Sequence, residues 1–255
     1  MAYLGARLGA GRRLSGSARE WRMTARRHAE GAEPSEGSRE TAINEGGTGC
    51  PAGGRHGGAR AYAADMGNVS WAKELAGALL GRDERRLSHV RAVARRAEEL
   101  GALALAGFPV EQEVGIVAAW VHDLGYAEAL VRTGCHHLDG ARYLRDLGEE
   151  RLAGLVAYHS SGAAEAGLRG LSDELARYRH DESLVSDLLT YCDLSTGPDG
   201  DAVGLDERLA EVSRRYGPGH VVTRGLLQGE GALRATFARI EALVAANGPL
   251  AAPRR

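Results

Sequence analysis

From Met66 onward, apolar residues recur at intervals of three and four, and this helical period limits the fold more than any other feature. One example is the stripe Val90, Val93, Ala97 and Leu100. Further helices are predicted at 139–147, 149–158, 171–178, 182–194, 205–216 and 230–246. Turn sequences such as SSG and GPDG separate them, and no alternation of period two is long enough for a strand. The pattern predicts one all-α domain over residues 66–248.

Helix starts and stops can be read from residue type. Ser70 is a candidate N-cap for the first helix, and Asp83 or Ser88 can begin the second. Pro109 interrupts the pattern, and acidic residues then lead the segment EVGIVAAWVHDLGY, as expected of a first helical turn. Gly125 is placed to end that helix.

Residues 1–65 lack this periodicity and hold 13 of the 36 glycines. Such a segment cannot bury enough surface to offset its ordering entropy, so we expect it to be disordered. It is consistent with an over-extended gene start ahead of Met66, with an Arg-rich targeting peptide, or with a disordered interaction arm. Residues 249–255 are expected to form a disordered tail.

The composition excludes several classes of protein. The chain has 32 Lys+Arg against 34 Asp+Glu, a net charge of -2, so it is not a strongly basic nucleic-acid binder. Three irregularly spaced cysteines predict no disulfide framework, which favours a reducing cytoplasm. No apolar run approaches the ~18 residues of a membrane span. The sequence carries no signal for an oligomeric state.

Polar residues stand at unusual places inside apolar segments. His122 and Asp123 follow VAAWV, His159 ends LVAYH, Asp193 ends LLTYCD, and His89 opens an apolar helix. A charged Asp in such a position is costly to bury unless it is paired or bound to a metal. Each residue alone is commonly a cap or a hydrogen-bonded core residue. Together they indicate a metal site.

The order His89, His122-Asp123, Asp193 resembles the HD superfamily of metal-dependent phosphohydrolases. The segment HDLGY is similar to the HDIG signature of that family, HLDGARYL from His137 to its H-x-x-G-A element, and AYHSSG to a following helix end that supplies a further His. The resemblance covers about residues 86–200 and implies a single HD-type helical bundle.

The resemblance also implies a ligand set. One divalent metal would be held by His89, His122, Asp123 and Asp193, and a second by His137 and His159 with Asp123 bridging as the catalytic carboxylate. Imidazole and carboxylate ligands without thiolate suit Mn, Fe, Co, Ni or Mg better than a structural zinc. Ligands of one ion should lie within about 4.5 Å of one another.

Neighbouring helical residues point ~100° apart, so only one of His136 and His137 should face the site. The H-x-x-G-A spacing selects His137, leaving His136 at the surface or behind the ligands. His180 and His220 lie among charged or turn residues and are expected to face solvent.

Many members of the family follow HDIG with a phosphate-binding Lys, where this chain has Tyr126. Substrate charge must then be met elsewhere, with Arg142, Arg145 and Arg91 as candidates. Each is equally well interpreted as a solvated helix arginine, since Lys73 is the only lysine and arginine dominates the basic residues.

Ser195 and Thr196 are hydroxyl donors near the expected metal, although a turn explains them equally well. Cys135 and Cys192 are interpreted as small buried residues.

The resemblance implies a metal-dependent phosphoric ester hydrolase that acts on a small phosphate ester or nucleotide. Two alternatives remain open: a metal-binding or ligand-sensing module without turnover, and a di-iron oxygenase with the same ligands. No P-loop, G-x-S-x-G or dinucleotide-binding motif offers another catalytic set.

Overall fold

The computed structural model describes residues 67–248. The predictions of disorder for 1–65 and 249–255 concern residues outside this range.

The described chain is all helical, as predicted, and its one strand-like feature is an isolated bridge between Thr196 and Ala202. Two 3₁₀ turns, Leu124–Tyr126 and Glu128–Leu130, separate the third and fourth helices. The ten α-helices are α1 Val69–Leu80, α2 Glu84–Ala104, α3 Pro109–Val121, α4 His136–Asp146, α5 Glu150–Tyr158, α6 Gly162–Leu168, α7 Ser172–Leu175, α8 Leu184–Leu194, α9 Leu205–Tyr216 and α10 Val221–Asn247. None of the helices within residues 67–248 has the length and apolar character needed to cross a membrane.

Two helix starts illustrate how capping decides a boundary. The N-cap of α1 is Asn68, whose Oδ1 accepts from the backbone N–H of Trp71 at 2.9 Å, so the predicted cap at Ser70 is wrong. Asp83 caps α2 by accepting from the N–H of Arg86 at 2.9 Å, and Ser88 lies inside the helix. Both observed caps accept from the residue three positions on, the usual N-cap geometry.

Other boundaries differ where the sequence signal is weak. Helix α4 begins at His136, three residues before the predicted 139, without a side-chain cap. Helix α10 begins at Val221, nine residues before the predicted start at 230. The sequence pattern misses this part of the helix because three glycines in RGLLQGEG interrupt the apolar period. The helix predicted at 171–178 is observed only as the short helix α7, and the sequence pattern does not predict α6.

The main core packs α2 against α3 and α8, and α4 against α5. It consists almost entirely of Leu, Val and Ala side chains, consistent with the low aromatic content. A second, smaller cluster lies between the end of α8, α9 and α10, and includes Leu205, Val212, Leu226 and Phe237. The C-terminal ends of α3, α5 and α8 meet the N-terminal end of α4 and the N-terminal part of α2.

Gly125 allows the closest approach in this region. A Cβ at Gly125 would lie 1.9 Å from the backbone oxygen of His136 and 2.7 Å from the backbone nitrogen of Gly140. The 3₁₀ turn after α3 therefore packs backbone to backbone against the first turn of α4. This contact sets the position of the His122-Asp123 pair relative to α4.

We expect Gly125→Ala to lower the free energy of unfolding by about 1–3 kcal/mol or more. This is the typical cost of overpacking, and here backbone atoms would have to move. Urea unfolding monitored by circular dichroism measures this difference. Gly77→Ala is the matched control: in the described structure its Cβ would meet no atom within 4 Å, and Ala is the better helix former. Equal stabilities for the two variants would contradict the close packing at Gly125.

Candidate metal centre

Four side chains from three separate regions of the sequence converge at the junction of these helices. The Nε2 of His89 lies 3.1 Å from Oδ1 of Asp193 and 4.0 Å from Oδ2 of Asp123. The Nε2 of His122 lies 3.5 Å from Oδ2 of Asp123 and 3.7 Å from Oδ1 of Asp193. All four distances are within the limit of about 4.5 Å for ligands of one ion. All four residues are buried.

Two of the histidines are oriented by the same kind of local hydrogen bond. His122 follows the last residue of α3, and its Nδ1 lies 2.8 Å from the carbonyl oxygen of Ala119. His159 follows α5 in the same way, with its Nδ1 2.7 Å from the carbonyl oxygen of Val156. Because a carbonyl can only accept, Nδ1 carries the proton in both rings. Each Nε2 is then left with a lone pair for a metal.

The His89–Asp193 pair points to a cation between its members. The Nδ1 of His89 lies 3.3 Å from the carbonyl oxygen of Gly197, and donates to it. In a neutral ring, Nε2 then turns a lone pair towards Oδ1 of Asp193, which also accepts. Two acceptors at 3.1 Å require a shared cation, either a second proton on the ring or a metal ion.

His122 provides a direct test of whether the residues fit a metal. Its Nε2 is buried and has no hydrogen-bond partner among residues 67–248. A buried nitrogen without a partner is costly. A cation at the centre of the cluster would satisfy this atom, so the donor set fits a divalent metal.

His136 belongs to the site, and the expectation that only one of the adjacent histidines faces it is wrong. The Nε2 of His136 lies 3.7 Å from Oδ1 of Asp123, on the side of the carboxylate opposite His122. Donor atoms of His136, His137 and His159 lie within 4.8 Å of one another. The two rings do not diverge: their centroids lie 3.8 Å apart, with the ring planes tilted by 37°.

Ser160 is a site residue that the sequence does not reveal. Its hydroxyl donates to Oδ2 of Asp193 at 2.5 Å, and its backbone N–H donates to Oγ1 of Thr190 at 3.0 Å. The φ of Ser160 is 52°, in the left-handed region that a residue with a Cβ rarely adopts. Backbone strain of this kind concentrates at functional sites. Here it lets one residue turn His159 inward and also fix Asp193.

Burial and nearby charges shift the pKa values of several groups in the cluster. Burial alone would raise the pKa of Asp123, but the attraction of His122 and Arg86 outweighs it and holds that pKa well below its usual value. Burial lowers the pKa of His136 to about 3. Burial likewise lowers the pKa values of His137 and His159. Deprotonated histidines are the form that binds metal.

Arg86 is the second functional residue that sequence reasoning missed. Its Nη1 donates to Oδ2 of Asp123 at 2.7 Å, and its guanidinium lies 3.8 Å from the centre of the Tyr126 ring. The Tyr126 ring in turn stacks on His136 at 4.2 Å. The available signal was the spacing, because Arg86 is three residues before His89 and shares its helix face.

The arginines proposed from the sequence lie elsewhere. Arg142 donates to Oδ1 of Asp139 and the carbonyl oxygen of Leu130, so it ties the loop before α4 to the helix. Arg145 donates to Glu150 and to the carbonyl oxygen of Arg177. Neither lines the pocket next to the cluster. Both interpretations as substrate-binding residues are therefore corrected: these side chains are already occupied by structural contacts.

The remaining candidates also have structural partners. Arg91 is exposed and pairs with Glu84 at 3.4 Å. The Oγ of Ser195 accepts from Arg96 at 2.7 Å, and Oγ1 of Thr196 donates to the carbonyl oxygen of Cys192. Cys135 and Cys192 are buried, as expected, and His180 and His220 are exposed.

A pocket of about 470 Å³, including the solvent at its mouth, opens onto the cluster. Asp123, His136, His137, Ser160 and Asp193 form its floor. Tyr126 lines it together with three arginines, Arg86, Arg208 and Arg215. Apolar residues from the end of α8, from α9 and from α10 complete the wall: Leu194, Val212, Val222 and Leu226.

Comparison with known proteins found no matching family model, no matching curated protein and no matching solved structure.

We expect the metal-free protein to lose stability as the pH falls from about 6.5 towards 4. The unfolded chain binds protons at its histidines near pH 6.5, whereas His136, His137 and His159 in the folded protein bind them only at lower pH. Protons in this window therefore favour unfolding, by up to about 1.4 kcal/mol per pH unit for each histidine. Urea unfolding in EDTA at several pH values measures the slope.

His136→Asn should reduce this slope, and His180→Asn, at an exposed position, should leave it unchanged. A free energy of unfolding that stays constant between pH 6.5 and 4.5 would contradict the burial of neutral histidines.

Substitutions at Ser160 can separate the effect of its hydroxyl hydrogen bond from the effect of its backbone strain. Ser160→Ala and Ser160→Gly both remove the hydroxyl that holds Asp193, so each should weaken Mn or Co binding by roughly 10-fold or more. Only glycine relieves the left-handed strain, so Ser160→Gly should be about 1 kcal/mol more stable than Ser160→Ala. Calorimetric titration and thermal unfolding measure the two effects. Wild-type metal affinity in Ser160→Ala would rule out the positioning role.

Proposed function

We propose that this chain is a metal-dependent phosphohydrolase of the HD type that acts on a small phosphate ester or nucleotide. The observation that carries the proposal is a buried His/Asp cluster at the floor of a pocket whose walls hold three arginines. The ligands proposed are His89, His122, Asp123 and Asp193 for one divalent ion, with Mn, Fe, Co, Ni or Mg as candidates. His159 and a histidine at the start of α4 are available for a second.

A divalent metal bound there supplies an acidified water and neutralises charge on the phosphate oxygens. The chain itself contributes the positions of the reacting groups. Asp123 offers one oxygen to each side of the cluster, Oδ2 towards His122 and Oδ1 towards His136. Ser160 holds Asp193 in place, and the carbonyl oxygens of Ala119 and Val156 hold the two helix-end histidines.

The pocket arginines supply the charge needed to bind a phosphate. Arg208 is buried, its Nη1 donates to Glu211 at 2.7 Å, and its Nε has no hydrogen-bond partner within the described range. Arg86 stands directly beside Asp123, where a phosphate over the cluster would meet its guanidinium. Arginine binds phosphate through planar, bidentate hydrogen bonds. These residues take the place of the lysine that the HDLGY segment lacks.

The lining of the pocket favours a small substrate with a charged part and an uncharged part. One wall is apolar, with Val212, Val222 and Leu226, and Tyr216 offers an aromatic face. We assign this wall to the uncharged part of the ester, such as a nucleoside, with the phosphate towards the arginines. Two buried thiols, Cys135 and Cys192, suit a cytoplasmic setting.

The test is phosphate release from a panel of nucleotides and phosphate esters, with protein stripped of metal and reloaded with Mn or Co under nitrogen. Turnover without dioxygen supports the hydrolase and excludes the di-iron oxygenase alternative. Phosphate-ester binding without turnover would support the sensing module instead. Asp123→Asn should lose metal and activity together, because both oxygens of this carboxylate face the proposed ligands.

Arg86→Met should lower kcat/KM for phosphate-ester hydrolysis by roughly 10–100-fold, the effect of one hydrogen bond to a charged group. Metal affinity should not fall, because the substitution removes a cation that competes for Asp123. Steady-state kinetics and metal titration provide the two readouts.

Arg91→Met is the matched control, since Arg91 is exposed on the same helix and should leave kcat/KM unchanged. Equal kinetics for the Arg86 and Arg91 variants would remove Arg86 from the substrate site.

A further inference from the structure

A second group of side chains that can bind a metal lies beside the His/Asp cluster. It includes none of the four ligands proposed for the first ion of that cluster. The Sγ of Cys135, a ring nitrogen of His137 and a carboxylate oxygen of Glu165 lie within 4.8 Å of one another, and all three residues are buried. Cys135 is the N-cap of α4, His137 is in its first turn, and Glu165 is in α6.

The distance between His137 and Glu165 fits metal ligands better than a hydrogen bond. The distance between His137 and Cys135 is within hydrogen-bond range for sulfur and also fits two ligands of one ion. The Nδ1 of His137 lies 3.7 Å from Sγ of Cys135 and 3.9 Å from Oε2 of Glu165. A nitrogen–oxygen separation of 3.9 Å is too long for a hydrogen bond. Two ligands of one tetrahedral zinc, at about 2.0–2.3 Å from the ion, are separated by about 3.3–3.7 Å. A small inward movement of the carboxylate completes that geometry.

The carboxylate of Glu165 gives independent evidence that a cation belongs at this place. Its Oε1 accepts from Nε of Arg169 at 2.8 Å. Its Oε2 is buried and has no hydrogen-bond partner in the part of the chain that the structure describes. An ionised carboxylate oxygen in that position is costly to bury. A divalent ion between Glu165, His137 and Cys135 would satisfy it.

The surrounding backbone brings these groups together. The backbone N–H of Cys135 donates to Oγ1 of Thr133 at 3.1 Å, and the buried carboxylate of Asp139 accepts from the N–H groups of Thr133 and Gly134. Gly162 lets α6 approach His137, because a Cβ there would lie 2.9 Å from the imidazole ring. His137 and Glu165 also line the pocket, which provides a route of entry for an ion.

We propose that Cys135, His137 and Glu165 form a separate metal site that takes a zinc-class ion. Thiolate, imidazole and carboxylate together are a ligand set that zinc accepts. The proposal also assigns the adjacent histidines: His137 serves this site, and His136, whose Nε2 faces Asp123, serves the His/Asp cluster. It does not rest on the proposed hydrolase activity.

Cobalt titration of the full-length, reduced, metal-stripped protein under nitrogen tests the proposal. A cobalt–thiolate site gives a charge-transfer band in the near ultraviolet, which a His/Asp site lacks. We expect this band in the wild type and its removal by added zinc. Cys135→Ser and Glu165→Gln should abolish or strongly weaken it, and Cys135→Ser should also lose one equivalent of zinc by elemental analysis.

Cys50→Ser and Cys192→Ser are matched controls that should keep the band, and Asp123→Asn should keep it although the His/Asp cluster is disrupted. Circular dichroism of each variant verifies its fold, and Glu165→Gln gives a second test that leaves every cysteine intact. A wild-type protein that binds cobalt without the band would overturn the proposal, as would a band that persists in Cys135→Ser or disappears in either cysteine control. Retention of the band in Asp123→Asn separates this site from the proposed active site.

Discussion

The structure depends on compensating the two buried carboxylates of the His/Asp cluster. Asp123 and Asp193 are almost completely removed from water, next to an apolar core made almost entirely of Leu, Val and Ala. Arg86 provides one positive charge, through its ion pair with Asp123. Burial favours the neutral form of His136, His137 and His159, so these imidazoles add dipoles and lone pairs but little charge. The remaining negative charge defines the cluster as a place for a cation, and the surrounding helices are arranged around that requirement.

The ends of helices, more than their faces, supply the groups of the site. His122 and His159 each follow the last turn of a helix and donate to a carbonyl oxygen three residues earlier, which both caps the helix and fixes the ring. Asp193 is in the last turn of α8, and His136 begins α4. Because backbone groups at helix ends lack intrahelical partners, they are free to orient side chains. The bundle needs only to bring several ends to one point.

The apolar period predicts the helical class. The convergence of His89, His122, Asp123 and Asp193 is predicted from the family resemblance that the order of these motifs carries, because local patterns alone do not show which distant residues meet. The sequence does not single out Arg86 as a site residue, because its spacing of three residues from His89 is a weak signal in a chain with 32 basic residues. The placement of both His136 and His137 depends on how α4 begins, which rests on the backbone contact at Gly125. The role of Ser160 depends on its left-handed φ, and a serine in the sequence does not predict that conformation as a glycine would.

The His89–Asp193 contact closes a stretch of 104 residues, whereas Arg86 and Asp123 are separated by only 37. On the ribosome, α2 and α3 therefore emerge with their own counter-ion long before α8 can deliver the last carboxylate. Loop-closure entropy also favours the shorter contact first. The nascent chain can thus bury Asp123 against arginine without capturing whichever ion is nearby. A metal bound by this cluster would therefore be selected by the finished domain, through the geometry of the complete site.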